Sequence, residues 1–272
     1  MARMPEGTPD LPTLREGFDR DGYLLIDPQI PDAVLDGAVA DVKGLFSDQP
    51  RSASMGIGHR VARRLGLGRK VIGDYGDYSD PNRVSNAWRA SEHVKAIARA
   101  PRVLELLRDL YRREPLPFQT LNLRVGTQQA PHSDTIHFNS EPPGFMCGVW
   151  VALEDIDMDN GPLVYFPGSH KLPEITPRDV GVPPGAEHYG AYEKHIAKVL
   201  ERQRLVPRHG TMARGEAVVW AANLLHGGAL QADPNRTRFS QVTHYFFEHC
   251  RYWMPLNSDE GHTEWRDPRW IR

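Results

Sequence analysis

The chain is poor in cysteine: Cys147 and Cys250 are the only two, far apart and without CxxC spacing. That excludes a disulfide framework and suits a reducing cytoplasm. Excess charge is also missing. A formal net charge of −2 gives no electrostatic reason to expect nucleic acid or an anionic membrane as a partner. Basic residues gather only at Arg51, His59, Arg60, Arg63, Arg64, Arg69 and Lys70, and such a run reads as a solvated face. No apolar run approaches the length needed to cross a bilayer. The first dozen residues carry Pro5, Pro9 and Pro12 where a signal peptide would carry an apolar stretch, so they read as a loose arm. There is no internal repeat and no low-complexity segment. The expectation is one soluble, cytoplasmic domain over residues 1–272, since all-β sandwiches of this length stay single.

What is present changes character along the chain. Phe18 to Ile26 (FDRDGYLLI) passes through a turn at Asp21-Gly22 into a short strand. Val34, Leu35, Ala38, Val39, Val42, Leu45 and Phe46 form one stripe, which predicts a helix from Pro31 to Phe46. The Gly- and Arg-rich stretch from Arg51 to Pro81 has poor periodicity and reads as a surface excursion. Ser91–Ala100, capped by Ser91, and Pro101–Tyr111 predict two more helices. After Pro117 the runs are short and rich in aromatic and β-branched residues: Phe118–Val125, Phe145–Leu153, Pro162–Phe166, Glu216–Ala221 and Phe239–Phe247. Turn signals such as Asp159-Asn160-Gly161 separate them. This predicts a mainly β jelly roll over about 116–250, supported by N-terminal helices over about 13–115. An insertion over about 171–208, with a helix from Tyr189 to Arg202, is a candidate lid.

Chemistry concentrates at Pro131-His132-Ser133-Asp134, answered by Leu225-His226-Gly227-Gly228 and then by Arg238. In extended backbone, residues i and i+2 share a face, so His132 and Asp134 can grip one ion together. Two imidazoles and one carboxylate are the facial set that binds non-haem iron(II) and leaves the other coordination positions open. Gly227-Gly228 leaves room beside the ion. Arg238 offers a planar fork for a dicarboxylate co-substrate. A lone HxD is a weak signal, usually a pair of solvated residues; the full set is far more specific. A zinc site with a water nucleophile competes, but it lacks a further general base and leaves Arg238 unexplained.

At these residues the chain resembles the phytanoyl-CoA dioxygenase-like iron(II)/2-oxoglutarate oxygenases. FDRDGYLLI, GTQQAPHSD, GVWVALEDIDMDNGPLVYFPGSHK, RGEAVVWAANLLHGG and RTRFSQVTHYF carry the resemblance, the long central block most specifically. It implies a double-stranded β-helix (jelly roll, cupin-like). It also implies iron held by His132, Asp134 and His226, with 2-oxoglutarate and O2 as the other reactants. By the spacing to His244-Tyr245, Arg238 rather than Arg236 is the co-substrate arginine, with Ser240 on its face. Trp150 and Asn122 stand where related enzymes line the co-substrate pocket, although both suit a core equally well. Because Asp134 is present, the family's halogenating variants are disfavoured.

The resemblance further implies that 2-oxoglutarate and O2 are consumed, giving succinate and carbon dioxide, while an unactivated C–H bond of the substrate is oxidised. Hydroxylation, ring closure, desaturation and epimerisation all remain open. His137, Asn139 and Asn223, with the Tyr189/Tyr192/His195 side of the lid helix, are candidate substrate contacts; surface, cap or core roles compete for each. His170 reads as structural, and His244, on an apolar strand, as a satisfied core histidine. The polar flank of the HxD suits a small polar metabolite better than a fatty chain. With the arginine- and proline-rich composition it resembles the oxygenases that tailor sugars and antibiotics, some of them closing orthoesters, and that resemblance implies a sugar-containing antibiotic or oligosaccharide. Two alternatives stand beside it: an acyl-CoA thioester hydroxylase, which the Arg60–Lys70 run leaves open, and a catalytically silent jelly-roll binding protein. Oligomeric state is left open.

Overall fold

In a computed structural model, residues 10–47 and 82–272 are described. The basic run and the excursion from Arg51 to Pro81 lie outside the described residues, as do the first nine positions of the arm. Six antiparallel strands form the main sheet, in the order β1 (Tyr23–Ile26), β8 (Ala217–Ala221), β5 (Met146–Ala152), β10 (Ser240–Phe247), β3 (Pro115–Leu123), β2 (Arg83–Ser85). Two three-stranded sheets complete the β structure. One is β7 (Arg208–Gly210), β6 (Leu163–Tyr165) and β9 (His226–Gly228); the other is β12 (Trp265–Arg266), β11 (Arg251–Trp253) and β4 (Asn139–Glu141).

Alternation along the main sheet sorts its side chains by face. Val149, Val151, Val219, Tyr245 and Phe247 turn to one side and meet the helices α1 (Leu11–Asp21), α2 (Asp32–Ser47), α3 (Glu92–Ala98) and α4 (Pro101–Tyr111). The helices contribute Phe18, Leu35, Val42, Val94, Val103 and Leu107 to that cluster. At about 1.5–3 kcal/mol for each fully buried large aliphatic or Phe side chain, this layer is a main source of stability. Trp150, Trp220 and Val242 turn to the other side and wall the functional cavity, with Val218 packed in the same cluster. Gly148 sits opposite Trp220 in the ladder, and a Cβ there would lie 2.3 Å from the indole ring. A glycine is therefore required if the indole is to lie flat across the neighbouring strand.

The helices from Asp32, Glu92, Pro101 and Tyr189 fall where periodicity predicts them, Ser91 accepting from the Val94 N–H as a cap. The loose arm is corrected in part: α1 begins at Leu11. Asp10 caps it through the Thr13 N–H, and Gly22 closes it at φ 81°. Leu14 and Phe18 then form a buried i, i+4 pair that was masked by the prolines before them. The strands β2, β4, β7, β9, β11 and β12 were not predicted; each has two or three residues, too few to show a period.

The insertion between β6 and β7 carries a short helix, α5 (Pro177–Val180), and the longer α6 (Tyr189–Gln203). Tyr192 and Ile196 on α6 are buried against Ile136 and Leu225, beside the two metal motifs. Its inner face is thus docked on the segment that follows the HxD. Among the described residues no helix is long and apolar enough to cross a membrane.

Candidate active site

Backbone pairing brings the two histidine motifs together. His132 and His226 face each other in an isolated antiparallel bridge, each N–H donating to the other's carbonyl at 2.9 Å. Ser133 keeps extended geometry (φ −111°, ψ 148°), and Asp134 opens a short 3-10 turn with its N–H on the Ala222 carbonyl. The extended step through Ser133 satisfies the i, i+2 expectation, although Asp134 itself lies at the turn. Gly227 lines the cavity beside the trio and also serves a second purpose. A Cβ there would sit 2.6 Å from the Gln129 carbonyl oxygen, so the glycine admits the preceding turn, and the backbone of that turn brings His132 alongside His226.

One ligand atom from each of His132, Asp134 and His226 lies within 4.8 Å of the others, and all three residues are buried. From Asp134 Oδ1 the two Nε2 atoms are 4.0 Å (His132) and 3.8 Å (His226) away. The Nδ1 atoms lie 3.1 Å from the Ala130 carbonyl and 3.0 Å from the Leu224 carbonyl. A carbonyl only accepts, so both Nδ1 atoms carry the proton and both Nε2 lone pairs are free for a metal. The other oxygen, Asp134 Oδ2, accepts from Trp220 Nε1 at 2.8 Å and lies 3.7 Å from His244 Nε2. Burial alone would raise the Asp134 pKa, but His226, His244, His132 and the Trp220 bond outweigh it and hold it below the usual carboxylate value.

Burial pushes the His132 pKa from 6.5 to about 3, helped by His226 and opposed by Asp134. It takes His137 to about 4. Both folded values lie below the unfolded one. The linked stability is therefore complete above about pH 6.5 and falls as the unfolded chain takes up protons, down towards the folded values. Metal-free protein is expected to show a falling melting temperature between pH 6.5 and about 4, measured by calorimetry; a flat profile across that window would contradict it.

A cavity of about 400 Å³ joins this trio to Arg238, which is 2% exposed. Its Nη1 donates to the Gly161 carbonyl at 2.7 Å, its guanidinium lies 5.2 Å from the Trp150 ring centroid, and its Nε has no partner. No carboxylate among the described residues pairs with it. Burial lowers its pKa to about 10, against the pull of Glu154, so it stays cationic at neutral pH. Arg236, by contrast, is half-exposed and forms an ion pair with Asp157 at 2.7 Å in the turn.

The remaining candidates divide. Trp150 and His137 line the cavity. Ser240 is buried with its hydroxyl on the Arg238 carbonyl at 3.4 Å. Asn122 is corrected: it sits on the opposite face of β3 from Gln119, Leu121 and Leu123, bonded to Gln241, which in turn bonds Val94 O on the helix side. Asn139 is also turned away, its amide on Glu174. Asn223 is consumed by the carbonyls of His170 and Leu172, tying the insertion's first turn to the site. Tyr189 stacks on His137 with centroids 5.2 Å apart, and the Tyr192 hydroxyl accepts the Ser133 N–H. His170 keeps its structural reading, with Nε2 3.3 Å from the Asp19 carbonyl.

His244 is buried and satisfied as expected, its Nδ1 3.0 Å from Gln119 Oε1, but it also lines the cavity beside Asp134. Its parity with Arg238 along β10 was the available signal. Sequence reasoning also missed Trp220, Gln119 and Arg266. Nothing in the sequence marks Arg266.

The model of the family described as Phytanoyl-CoA dioxygenase (PhyH) matches residues 18–241, from α1 into β10 and including both metal motifs and Arg238. The chain belongs to this family. Within it, "Phytanoyl-CoA dioxygenase domain-containing protein 1" of Danio rerio is 33% identical over 201 residues, covering 69% of this chain and 66% of that protein. The Mus musculus protein of the same name is 33% identical over 202 residues, 70% of this chain and 62% of that one. The match thus spans a little under two thirds of those relatives. Among solved structures, the non-heme alpha ketoglutarate dependent epimerase SnoN from nogalamycin biosynthesis superposes with a TM-score of 0.60 at 18% identity, covering 96% of this chain and 98% of that one. EctD from S. alaskensis, with 2-oxoglutarate and 5-hydroxyectoine, gives 0.63 at 17% identity over 95% of this chain and 84% of that one. At these identities the likeness is one of fold.

Proposed function

We propose that this chain is an iron(II)- and 2-oxoglutarate-dependent dioxygenase with a double-stranded β-helix. It oxidises an unactivated C–H bond of a small polar metabolite, by hydroxylation or ring closure, and the substrate class is a sugar-containing antibiotic or oligosaccharide. One observation carries the reading: three buried metal-ligating side chains and a buried arginine lacking a carboxylate partner share one cavity. The donor set fits iron(II), since two imidazole nitrogens and a carboxylate leave positions for a keto acid and a gas. The arginine fits the far carboxylate of a dicarboxylate, which would complete its hydrogen bonds and offset its burial.

In this reading His132, Asp134 and His226 hold the metal, and Trp220 fixes the carboxylate so that Oδ1 faces the two imidazoles. Arg238 anchors the co-substrate, with Trp150 against the guanidinium. Iron held there would supply the oxidising power, with 2-oxoglutarate and O2 as the reactants consumed and succinate and carbon dioxide as their products. Val242, Leu121 and Leu163 give the cavity an apolar part of its wall, which strengthens the charge pairing and limits side reactions with water. Ser85, Gln119 and His137 give the cavity polar hydrogen-bonding groups, the feature that supports a polar substrate over a fatty chain.

Anaerobic addition of iron(II) and then 2-oxoglutarate is expected to give a weak visible charge-transfer band. Succinate should form once air and a substrate are admitted. Tight binding of zinc with no such band for iron would instead support a hydrolase.

A further inference from the structure

A second cavity, of about 410 Å³, adjoins the first, and the two share Gln119, Phe138 and Arg266 as wall residues. It is built largely by the C-terminal segment from Glu264 to Arg269, closed on the other side by Asn86, Arg89 and Phe118. That segment is held in place through β12, whose Trp265 and Arg266 pair with Trp253 and Tyr252 of β11.

Arg266 is the charged residue common to both cavities among their lining residues. Its Nη1 donates to the His137 carbonyl at 3.0 Å, and the guanidinium lies 5.0 Å from the Phe138 ring centroid. Those two contacts fix the plane of the guanidinium at the boundary, and burial lowers its pKa, opposed by Glu264. Leaving aside Asp134 and Arg238, which the proposed metal and co-substrate would engage, the two linings hold Arg83, Arg89, Arg266 and Arg269 with Glu264 and Asp267; Arg83, Arg89 and Arg269 have interactions of their own, which leaves Arg266 as the contact offered to an anion.

We propose that the two cavities form one two-part substrate site, in which Arg266 receives an oxyanion of the substrate, a phosphate or a carboxylate, while the carbon to be oxidised lies in the metal cavity. This rests on the dioxygenase reading and narrows its substrate class to an anionic polar metabolite. A planar guanidinium already held from one edge is suited to two parallel bonds to such a group.

The test uses the whole protein loaded anaerobically with iron(II) and 2-oxoglutarate, with glucose 6-phosphate, glucuronate, coenzyme A and neutral glucose as probes. Calorimetry gives affinity, and displacement of the visible band reports entry into the metal cavity. Either sugar anion is expected to bind on the order of tenfold or more tighter than glucose, the range of one charge-assisted contact. Arg266→Gln should remove that preference and leave the co-substrate band in place, and Arg266→Lys should retain part of it. Coenzyme A binding better than both sugar anions, with the same loss in Arg266→Gln, would support the subsite and identify the source of the oxyanion as a nucleotide thioester carrier. Equal affinity for glucose and the anions, or a preference undiminished by Arg266→Gln, would overturn the subsite. If the wild-type band itself fails to form, the dioxygenase reading fails instead, and calorimetry on metal-free protein still decides the anion question. Should Arg266→Gln not fold by circular dichroism, Arg266→Lys carries the comparison: a preference that falls below the parent's supports the guanidinium contact, and one equal to the parent's overturns it.

Discussion

Arg238→Ala is expected to raise the 2-oxoglutarate concentration needed for half-maximal turnover on the order of a hundredfold, whereas Arg236→Ala changes it by about twofold or less. The asymmetry follows from where the two guanidinium groups lie. Arg238 is buried against Trp150 with Nε unpartnered, so a carboxylate arriving there meets a desolvated cation that water screens poorly. Arg236 is already paired with Asp157 at a half-exposed turn, where an ion pair contributes little. Titrating 2-oxoglutarate into each iron-loaded variant and following the visible band measures binding without needing the substrate. Equal losses in the two variants would place the co-substrate elsewhere.

The second large effect concerns the metal. Asp134→Ala is expected to abolish iron(II) retention through desalting, and Trp220→Phe to weaken it by about 10- to 100-fold, the range seen when partners of metal ligands are removed. Trp220 Nε1 occupies Oδ2 of the carboxylate, so without it the aspartate is free to rotate away from the two imidazoles. Phenylalanine keeps most of the apolar bulk between Gly148 and the cavity, so the sheet should survive the change. Iron affinity would be measured by competition with a chelator, alongside a melting curve for folding. A Trp220→Phe protein that binds iron like the parent would mean that the bridge and the turn hold Asp134 unaided.

The metal trio was legible because its chemistry demands particular residues at particular separations, and HxD followed by His-Gly-Gly meets that demand. Longer elements were equally readable: α2 repeats its apolar residues over 16 residues, and β10, eight residues long, is rich in aromatic and β-branched residues. Two or three residues, as in β9 or β12, cannot display a period; tertiary pairing alone makes them strands. Face assignment was the other weak point. Asn122 looked suited to a pocket by its polarity, but one position's difference in parity from Leu121 puts it on the helix side. His244 was legible only in part, because apolar neighbours pointed to the core while its parity with Arg238 puts it beside the carboxylate as well. Arg266 was invisible for another reason: a C-terminal segment without a motif reaches the site only through long-range pairing with β11.

The reciprocal main-chain bonds between His132 and His226 carry one more implication. Because the two imidazoles are brought abreast by peptide groups and not by the ion, the protein should assemble its coordination sphere before any iron arrives. Loading and stripping then become local exchanges on a finished scaffold. An apoprotein of this kind can wait in the cell for scarce ferrous ion without unravelling.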